Sequence, residues 1–592
     1  MCSYAQPRSD VEREVKPGVS IGFGCMRLST LPDRDPDNGI RVIHAALDAG
    51  VTLLDTADAY CLNDKDIGHN ERLIAEALRT WSGDAAAVEV ATKGGLIRPD
   101  GAWVPDGRAV HLREACEASL RALGVDVIDL YQLHVVDPRV PFLTSVRALA
   151  SLQRDGNIRR IGLSNVTVTQ IEIARTIAEI DSVQVPLSVL DDENLRNGVA
   201  EYCVTNGIRL IAYGPIGGRR HANSLPRNPV LQQIAAEHEA TAHQIALAWL
   251  LDLHEHIVPI PGSTRSEHAA ALARVRQIEL TPHDRERLDE QFNGRLLRMP
   301  RAQRRPPDDV PGDVVMIMGM PGAGKSTLAE ALVAGGYARL NRDAQGGTLD
   351  ELVRELDLGL KSGKREWVLD NTYASRASRN DVIECAWRHG VPVRLIWLDT
   401  EIGDAQINAV TRLIEAHGSL PMPEDLRLRG KTDHRYFGPD AQFRYQRELE
   451  PPRADEGFKS IERRTFDRRP ELLSRNKAVF FDPTELDQSF VDALSSYQTG
   501  GWLLIGLAWC PPGSNKERLR GIDYEYAQCA HPAGPPICWC RKPLPGLVLE
   551  SAARHDLALQ ACVMIGDATA DLTMARRLGM RRLAISDAGK AE

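Results

Sequence analysis

The sequence lacks several features that would assign it to a specialised class of protein. It has no apolar run of about 18 residues, the length that a membrane-spanning helix needs, and its first residues are polar, unlike a secretory signal peptide. It also lacks an excess of positive charge, and a formal net charge of -9 gives no general attraction to nucleic acid or an anionic membrane. With 43% hydrophobic and 26% charged residues, the composition is typical of a globular protein, and we expect it in the cytoplasm.

The length points to several domains. A chain of 592 residues is too long for one hydrophobic core, and about 100–200 residues per domain predict three or four domains. Eleven cysteines without a secretory leader indicate reduced thiols. We predict an α/β multidomain chain, divided into a leader (1–18), a barrel (19–295), a linker (296–312), a second α/β domain (313–462), a second linker (463–475) and a C-terminal α/β domain (476–592).

The first large segment alternates strand-like and helical patterns. Strand-like runs such as Ile128–His134 and Arg209–Tyr213 are separated by amphipathic stretches between Val19 and about Asn293. Repeated strand–helix units over ~250 residues predict a (β/α)8 barrel rather than an open sheet. Polar residues follow these strands directly, at the face where such barrels place their chemistry.

Five motifs in this segment carry a resemblance: Asp55-Thr-Ala-Asp-Ala-Tyr60, Gly68-His-Asn-Glu71, Ala91-Thr-Lys-Gly94, Tyr131-Gln-Leu-His134 and Gly162-Leu-Ser-Asn165. In order and spacing they resemble the aldo-keto reductase signature. The resemblance implies that Tyr60 protonates a carbonyl oxygen as hydride arrives and that His134 orients the carbonyl. It also implies that Lys93, paired with Asp55, lowers the pKa of the phenol. NADPH or NADH would be the cofactor, and the residues that match its contacts are Ser164, Asn165, Gln184, Tyr213, Ser263 and Arg265.

Two departures from that family pattern affect the cofactor. The run after Gln184 is Val-Pro-Leu-Ser188 where the family often has Asn and Tyr, and Ala271-Leu272 stands where a Glu-Asn pair would contact adenine. Arg265 favours NADPH because it offers a cation to the 2′-phosphate. The carbonyl substrate depends on loops whose specificity the sequence does not indicate.

The next segment begins with a glycine-rich turn. Residues 296–312 are rich in Arg, Pro and Asp without periodicity, which predicts an extended linker. Gly319-Met-Pro-Gly-Ala-Gly-Lys-Ser-Thr327 then stands between an apolar run and a helical pattern, the context of a phosphate-binding loop in a P-loop NTPase domain. Its N–H groups and the helix N-terminus would hold phosphates, Lys325 would reach the β/γ-phosphates, and Ser326 would bind Mg²⁺. The residues assigned to ATP are Gly319, Gly322, Gly324, Lys325, Ser326 and Thr327.

Further motifs indicate which class of phosphoryl-transfer enzyme this domain resembles. Asn341-Arg-Asp343, Asp370-Asn-Thr372 and Asn408-Ala-Val-Thr-Arg412 resemble those of the phage-type 5′-hydroxyl polynucleotide kinases. The resemblance implies that Asp343 accepts the proton of the attacking hydroxyl and that Arg412 is a lid arginine on the transferring phosphate. Asp370 and Arg379 have less defined roles. A small-molecule or zeta-toxin-like kinase, which shares the loop and a nearby Asp, stays open.

A basic and aromatic stretch follows. Residues 427–475 contain thirteen Lys/Arg against nine Asp/Glu, with Tyr436, Phe437, Phe443, Tyr445 and Phe458 interleaved. This composition suits RNA or DNA, whose phosphates bind cations and whose bases stack on aromatic rings. It also suits an ordinary solvated helix face or domain packing.

The C-terminal segment carries a third resemblance. Asp482, Lys542, Asp567 and Asp571 match the haloacid-dehalogenase (HAD) type of phosphatase, nearest the histidinol-phosphatase and heptose-bisphosphate branch. Asp482 would attack phosphorus, Lys542 would neutralise the phosphoryl group, and the three aspartates would hold Mg²⁺. Thr484 stands where the general acid is expected, and the run 503–509 supplies no Ser or Thr for the second motif, so we predict an impaired or inactive phosphatase, with an active but rewired site as the alternative.

One loop of this segment has the composition of a metal site. Cys529, His531, Cys538 and Cys540 lie within twelve residues and can wrap a tetrahedral Zn²⁺. Four protein ligands indicate a structural site, which the same branch of the phosphatase family also carries. Free thiols in a proline-rich loop are the alternative.

Taken together, the segments predict a multifunctional enzyme. It would combine NADPH-dependent carbonyl reduction with ATP-dependent phosphorylation of 5′-hydroxyl ends of RNA or DNA, a step of strand repair. The alternative is a metabolic reductase fused to a small-molecule kinase or a regulatory nucleotide-binding module. A non-catalytic nucleotide sensor is disfavoured because the residues for both reactions are present. The sequence does not indicate the oligomeric state.

Overall fold

The computed structural model describes residues 21–218, 222–430, 436–466, 476–483, 488–509, 522–529, 531 and 538–590. The chain divides into two compact units, residues 1–303 and 304–592. The predicted leader, residues 1–18, lies outside the described residues, as does most of the second predicted linker. In the described part of the chain, no helix combines the length and apolar composition needed to cross a membrane.

The first unit is built on an eight-stranded parallel barrel. Its strands lie in chain order around the sheet, and the ring closes where Gly22 N donates to Pro259 O at 3.0 Å and Gly24 N donates to Pro261 O at 3.0 Å. This confirms the predicted (β/α)8 fold. The barrel strands are β1 (Phe23–Gly24), β2 (Leu53–Asp55), β3 (Glu89–Gly94), β6 (Ile128–Leu133), β7 (Ile158–Ser164), β8 (Ser182–Pro186), β9 (Arg209–Tyr213) and β10 (Ile257–Pro259), and an antiparallel hairpin is formed by β4 (Leu96–Ile97) and β5 (Val104–Pro105).

Helices cover the barrel with apolar faces that the sequence spacing sets. In Ala242–Leu253, for example, a Thr241/Gln244 capping box satisfies the first turn, and Ile245, Trp249 and Leu253 are buried. The helices are α1 (Pro36–Asp48), α2 (His69–Thr80), α3 (Ala109–Leu123), α4 (Phe142–Arg154), α5 (Val168–Arg175), α6 (Glu193–Arg196), α7 (Val199–Thr205), α8 (Pro229–Glu237), α9 (Ala242–Leu253), α10 (Ser266–Ala270), α11 (Leu272–Val275), α12 (Pro282–Phe292), α13 (Arg295–Arg298) and α14 (Arg301–Arg304).

The last two of these helices correct the expectation of an extended linker. α13 buries Leu296, and Arg298 pairs with Asp252 at 2.8 Å and with Asp289 at 2.8 Å. These contacts hold residues 295–298 in a helical turn, and the two consecutive prolines, which resist helix, follow only at 306 and 307.

The second unit opens with a five-stranded parallel sheet in the order β12-β13-β11-β14-β15. Its central strand is buried along its whole length, and helix α17 packs on the sheet through Leu352, Leu356 and Leu360, spaced four residues apart. The strands are β11 (Asp313–Met318), β12 (Ala338–Leu340), β13 (Glu366–Asn371), β14 (Val393–Leu398) and β15 (Ser460–Arg464), and the helices are α15 (Lys325–Ala334), α16 (Arg342–Gln345), α17 (Leu349–Lys361), α18 (Arg376–Arg388), α19 (Ile402–His417), α20 (Pro423–Arg429) and α21 (Pro439–Glu448).

A second parallel sheet completes this unit, in the order β18-β17-β16-β19-β20. Apolar residues of the central strand alternate between two buried clusters, with Ala478 and Phe480 in one and Val479 and Phe481 in the other, so helices cover both faces. The strands are β16 (Ala478–Phe481), β17 (Leu503–Trp509), β18 (Glu525–Cys529), β19 (Val563–Ile565) and β20 (Arg581–Leu583), and the helices are α22 (Gln488–Thr499), α23 (Gly546–His555) and α24 (Thr569–Leu578).

Candidate functional site

Four side chains meet at the carboxyl ends of the barrel strands. The Lys93 ammonium lies 2.8 and 2.7 Å from the two carboxylate oxygens of Asp55, and it also donates to the Thr56 carbonyl at 2.8 Å and to the Tyr60 hydroxyl at 3.1 Å. The His134 ring stands edge-on to the Tyr60 ring, with their centroids 5.5 Å apart. The four residues predicted from the sequence therefore lie together, with Asp55, Tyr60 and Lys93 buried and His134 partly buried.

The pKa of the tyrosine moves opposite to the sequence expectation. Burial, followed by the charge of Asp55, raises the pKa of Tyr60 well above its usual value. The Lys93 ammonium donates to the phenol oxygen, but Asp55 contacts that ammonium and offsets its charge, so burial and Asp55 outweigh the lysine. Burial and the Lys93 charge hold the pKa of His134 well below its usual range. At neutral pH the tyrosine and the histidine are therefore both uncharged.

The glycine-rich turn of the second unit forms a loop around an ammonium group. The loop joins β11 to α15, and Lys325 Nζ donates to the carbonyls of Gly319 at 2.8 Å and Met320 at 3.0 Å. Gly322 has a φ of 89°, and a Cβ there would stand 2.3 Å from the Ala405 carbonyl oxygen, so only glycine fits. Burial lowers the pKa of Lys325 to about 8, against the opposing charge of Asp343.

A large cavity opens over this loop. Its volume is about 1360 Å³, and both Asp343 and Arg412 line it together with Lys325. Ser326 Oγ lies 3.4 Å from Asp370 Oδ2, and Arg339 holds that carboxylate with contacts of 2.9 and 2.6 Å. The predicted base, the predicted arginine and the loop thus border one space.

The basic and aromatic stretch is divided between this cavity and the core. Its residues that line the cavity are Arg427, Tyr436, Phe437, Arg444, Tyr445 and Phe466. Phe458 is buried in the core of the sheet. Arg379, which sequence motifs also pointed to, is fully buried and paired through two contacts of 2.7 Å with Glu456. Its guanidinium is therefore held inside the domain and is not part of the cavity lining.

A second lysine cluster lies at the edge of the C-terminal sheet. Lys542 Nζ lies 2.9 Å from Asp482 and 2.9 Å from Asp571, so these three predicted residues meet. Asp567, also at a strand end, is more exposed and lies 3.4 Å from Arg582. Thr484, at the position of the predicted missing acid, lies outside the described residues.

The cysteine and histidine ligand atoms of the C-terminal loop converge within 4.8 Å of one another. Cys529 Sγ lies 3.5 Å from Cys538 Sγ and 3.5 Å from His531 Nδ1, and Cys540 Sγ lies 3.3 Å from the same nitrogen. A tetrahedral Zn²⁺ with ordinary bond lengths would separate two sulfurs by about 3.8 Å and a sulfur and a nitrogen by about 3.6 Å. The donor set and its spacing fit a metal ion of this kind.

Comparison with known proteins decides the identity of the first unit. The Aldo/keto reductase family model matches residues 20–292. An uncharacterized oxidoreductase of Schizosaccharomyces pombe is 32% identical over 276 residues, which cover 46% of this chain and 86% of that protein. The chain belongs to the aldo/keto reductase family.

A second relative agrees with this membership. A probable aldo-keto reductase 1 of Glycine max is 32% identical over 296 residues, covering 45% of this chain and 82% of that protein. A solved glycerol dehydrogenase of Gluconobacter oxydans is 26% identical, with a TM-score of 0.40, and the match covers 46% of this chain and 90% of that one. A HAD-hydrolase-like family model matches residues 539–590, so the aldo/keto reductase carries a HAD-like domain at its C-terminal end.

The remaining predicted residues of the aldo/keto reductase unit lie around the Lys93–Asp55–Tyr60 cluster or on the loop after β10. Gln184 Nε2 donates to Asp55 at 2.7 Å, and Asn165 accepts from the Tyr213 hydroxyl at 2.9 Å. Asn165 also donates to Ser164 Oγ at 3.1 Å. On the loop, Ser263 Oγ accepts from the Arg265 amide at 3.0 Å, and the Arg265 side chain is exposed.

Sequence reasoning missed one wall of the reductase site. Trp103 stands edge-on to Tyr60 at 6.3 Å and to His134 at 6.5 Å, and the Arg98 guanidinium stacks on its ring at 3.6 Å. Both residues border the β4–β5 hairpin, which folds back over the strand ends. A tryptophan shortly after the Lys93 motif was the available signal, but nothing in the sequence indicated the direction of the hairpin.

Proposed function

We propose that the reductase unit reduces a carbonyl compound with NADPH. The observation that carries this is the buried Lys93–Asp55–Tyr60 cluster, which keeps a neutral phenol beside a compensated ammonium. Ser164, Asn165 and Gln184 would hold the carboxamide, and Arg265 offers its exposed cation to a 2′-phosphate. The cofactor, when bound, supplies hydride to the carbonyl carbon.

The protein's own side chains handle the carbonyl oxygen. Neutral Tyr60 donates its proton to the oxygen as negative charge develops there, and Lys93 stabilises the phenolate that remains. His134 is neutral because burial depresses its pKa, so it orients the carbonyl without adding a second positive charge beside Lys93. Loss of NADPH absorbance with a set of aldehydes tests this activity, and a Tyr60→Phe variant should lose it while still binding NADPH.

We further propose that the second unit transfers a phosphoryl group from ATP. The observation that carries this is the size and lining of the cavity over the phosphate-binding loop. Its volume of about 1360 Å³ exceeds the ~300–1000 Å³ of a pocket for one small ligand, so it has room for a donor and an acceptor. Lys325 would bind the β/γ-phosphates, and Ser326 beside Asp370 would hold Mg²⁺.

The acceptor side of the cavity favours a nucleic-acid end with a 5′-hydroxyl group. Arg427 and Arg444 can contact backbone phosphates, and Tyr436 and Phe466 offer aromatic faces for bases. Asp343 would take the proton of the attacking hydroxyl, and Arg412 would stabilise the charge of the transferring group. A small-molecule acceptor is the second candidate, since the loop and Asp343 would serve it equally.

The deciding experiment is transfer of labelled γ-phosphate from ATP to a 5′-hydroxyl oligonucleotide. Asp343→Asn and Lys325→Ala should abolish transfer, whereas Asp350→Asn, an exposed acid on the neighbouring helix α17, should not. Transfer that falls steeply with salt supports a polynucleotide acceptor. Intact ATP binding without labelled oligonucleotide would instead identify a small-molecule kinase.

For the C-terminal domain we propose a structural Zn²⁺ and little phosphatase turnover. Cys529, His531, Cys538 and Cys540 would supply all four ligands, which leaves no open position for catalysis. Asp482 remains beside Lys542 as a nucleophile, but without a carboxyl acid at Thr484 the leaving alkoxide departs unprotonated, a loss of about 10²–10⁴-fold. Metal analysis and hydrolysis of phosphate monoesters test the two parts separately.

A further inference from the structure

The loop that carries the metal-ligand cluster also carries a tryptophan that packs outside its own domain. Trp539 stands between Cys538 and Cys540 and is only 1% exposed. Its ring belongs to an apolar cluster whose other buried members are Ala409, Val410, Leu413 and Ile414 of helix α19 and Leu426 of helix α20. The metal-binding loop is therefore anchored in the helices of the nucleotide-binding domain.

Through Trp539 the loop reaches the lining of the large cavity. Its indole N–H donates to the Phe437 carbonyl at 3.1 Å, and the two rings meet edge to face with centroids 6.1 Å apart. Phe437 lines the cavity, and the Arg412 guanidinium lies 5.8 Å from the centroid of its ring. Phe437 thus neighbours both the tryptophan and the arginine assigned to the transferring phosphate.

Helix α19 makes a second connection between the same two places. Asn408 Nδ2 donates to the Gly322 carbonyl of the phosphate-binding loop at 3.0 Å. On its other side the helix buries Ile407 in the core of the C-terminal domain, and Gln406 accepts from Arg577 at 3.0 Å. Displacement of the helix would therefore move the phosphate-binding loop and Arg412 together.

We propose that the C-terminal domain serves as a fixed wall of the nucleotide site, with Trp539 as the residue that positions Phe437 and Arg412. A metal ion on the four-ligand cluster would hold the Trp539 backbone in place from both sides. The loop then has a role that needs no phosphatase chemistry. This inference rests on the proposed nucleotide function of the cavity.

Binding of MgATP to the full chain tests the proposal. Trp539→Ala should raise the dissociation constant between about 2- and 30-fold, the range for residues that couple two sites. Trp539→Phe keeps most of the packing and loses the N–H donor, so it should have a smaller effect. Trp502→Ala, a change in the same domain away from helix α19, should bind as wild type, and all three variants should retain the metal.

Metal removal supplies a readout that does not depend on activity. Chelation should speed hydrogen exchange in residues 402–417 and 439–448 and weaken MgATP binding, and added Zn²⁺ should reverse both effects. Metal removal and the Trp539→Phe variant test the positioning role of Trp539 even if Trp539→Ala fails to fold.

The outcomes separate the inference from the function on which it rests. If Lys325→Ala abolishes MgATP binding while Trp539→Ala, Trp539→Phe and the metal-free chain all bind as wild type, the positioning role is wrong and the nucleotide site stands. If Lys325→Ala binds as wild type, the nucleotide site is wrong and the inference falls with it.

Discussion

Replacing Lys93 with methionine should damage both the stability and the chemistry of the reductase unit. Methionine keeps the length of the side chain but removes the ammonium group, which is fully buried and contacts both oxygens of Asp55. The carboxylate is then left buried, and among the residues that the structure describes its remaining side-chain donor is Gln184 Nε2 at 2.7 Å. Water cannot screen the stranded charge, because Asp55 is only 2% exposed.

The size of the effect follows from this burial. Breaking a buried ion pair by removing one partner costs about 3–5 kcal/mol. A domain is stable by only about 5–15 kcal/mol, so the loss is a large part of the total. At roughly 2–3 °C per kcal/mol for a domain of this size, the unfolding midpoint of the barrel should fall by about 6–15 °C. The rate of carbonyl reduction should fall by about 10²–10⁴-fold, because the tyrosine loses the cation that stabilises its phenolate.

Two further variants separate the two effects. Asp55→Asn combined with Lys93→Met removes both charges, so most of the stability should return while the activity does not. Tyr60→Phe loses one hydrogen bond from the charged Lys93, worth about 1.5–3 kcal/mol, and should unfold at a higher temperature than Lys93→Met but without activity.

Hydrogen exchange during thermal unfolding of the full chain is the suitable assay, since peptides from β2 and β3 report the barrel alone. Steady-state reduction of an aldehyde by NADPH gives the rate. A double variant as unstable as Lys93→Met would refute the stranded-charge argument. A Lys93→Met enzyme that retained more than about a tenth of the wild-type rate would refute the assigned role in proton transfer.

Three other predictions concern single contacts. Lys325 loses its charge as the pH rises through its pKa of about 8. MgATP affinity, measured by calorimetric titration, should therefore fall between pH 7 and 9 by up to about tenfold per pH unit. The Lys325→Arg variant, which keeps its charge, should show no such decline. Arg379→Ala leaves Glu456 buried and should cost the second unit about 3–5 kcal/mol in chemical denaturation, a loss that Glu456→Ala added to it should reduce. Arg98→Met removes the cation stacked on Trp103, worth about 0.5–2 kcal/mol, so aldehyde KM should rise with kcat little changed, and a fall in kcat alone would contradict this.

The sequence predicted what depends on strand ends and short spacings. The barrel and the meeting of Lys93 with Tyr60 follow from polar residues placed directly after alternating strands, and relatives confirm the reductase family. The predicted lowering of the Tyr60 pKa was wrong. The shift depends on how far Asp55 offsets the charge of Lys93 and on how deeply the phenol is buried. Neither quantity can be read from residue order.

Contacts between distant segments could not be predicted for a related reason. Trp539 and Phe437 stand 102 positions apart in the sequence. Each is an aromatic residue in a loop segment, and nothing in the sequence around either one indicates a partner. Their contact depends on where helix α19 packs. That position is set both by the apolar cluster around Trp539 and by the core of the C-terminal domain, which buries Ile407. The sequence of the basic and aromatic stretch also did not indicate which rings face a ligand and which pack inside the domain. The fold places Tyr436 and Phe437 on the cavity lining and buries Phe458 in the core.

Three lysines of this chain, one at each candidate site, differ in the groups that offset their charge. Lys93 is fully compensated by one buried carboxylate, which suits a neutral carbonyl substrate and a neutral acid. Among the residues that the structure describes, Lys325 makes its hydrogen bonds to backbone carbonyls, so its charge is available to an anion. Lys542 is shared by Asp482 and Asp571, so a phosphate monoester must compete with two carboxylates for it. We therefore expect a phosphate monoester to bind at the C-terminal cluster only when a cation draws those carboxylates away, whereas an anion in the cavity over the glycine-rich loop would meet a lysine that is hydrogen-bonded to backbone carbonyls.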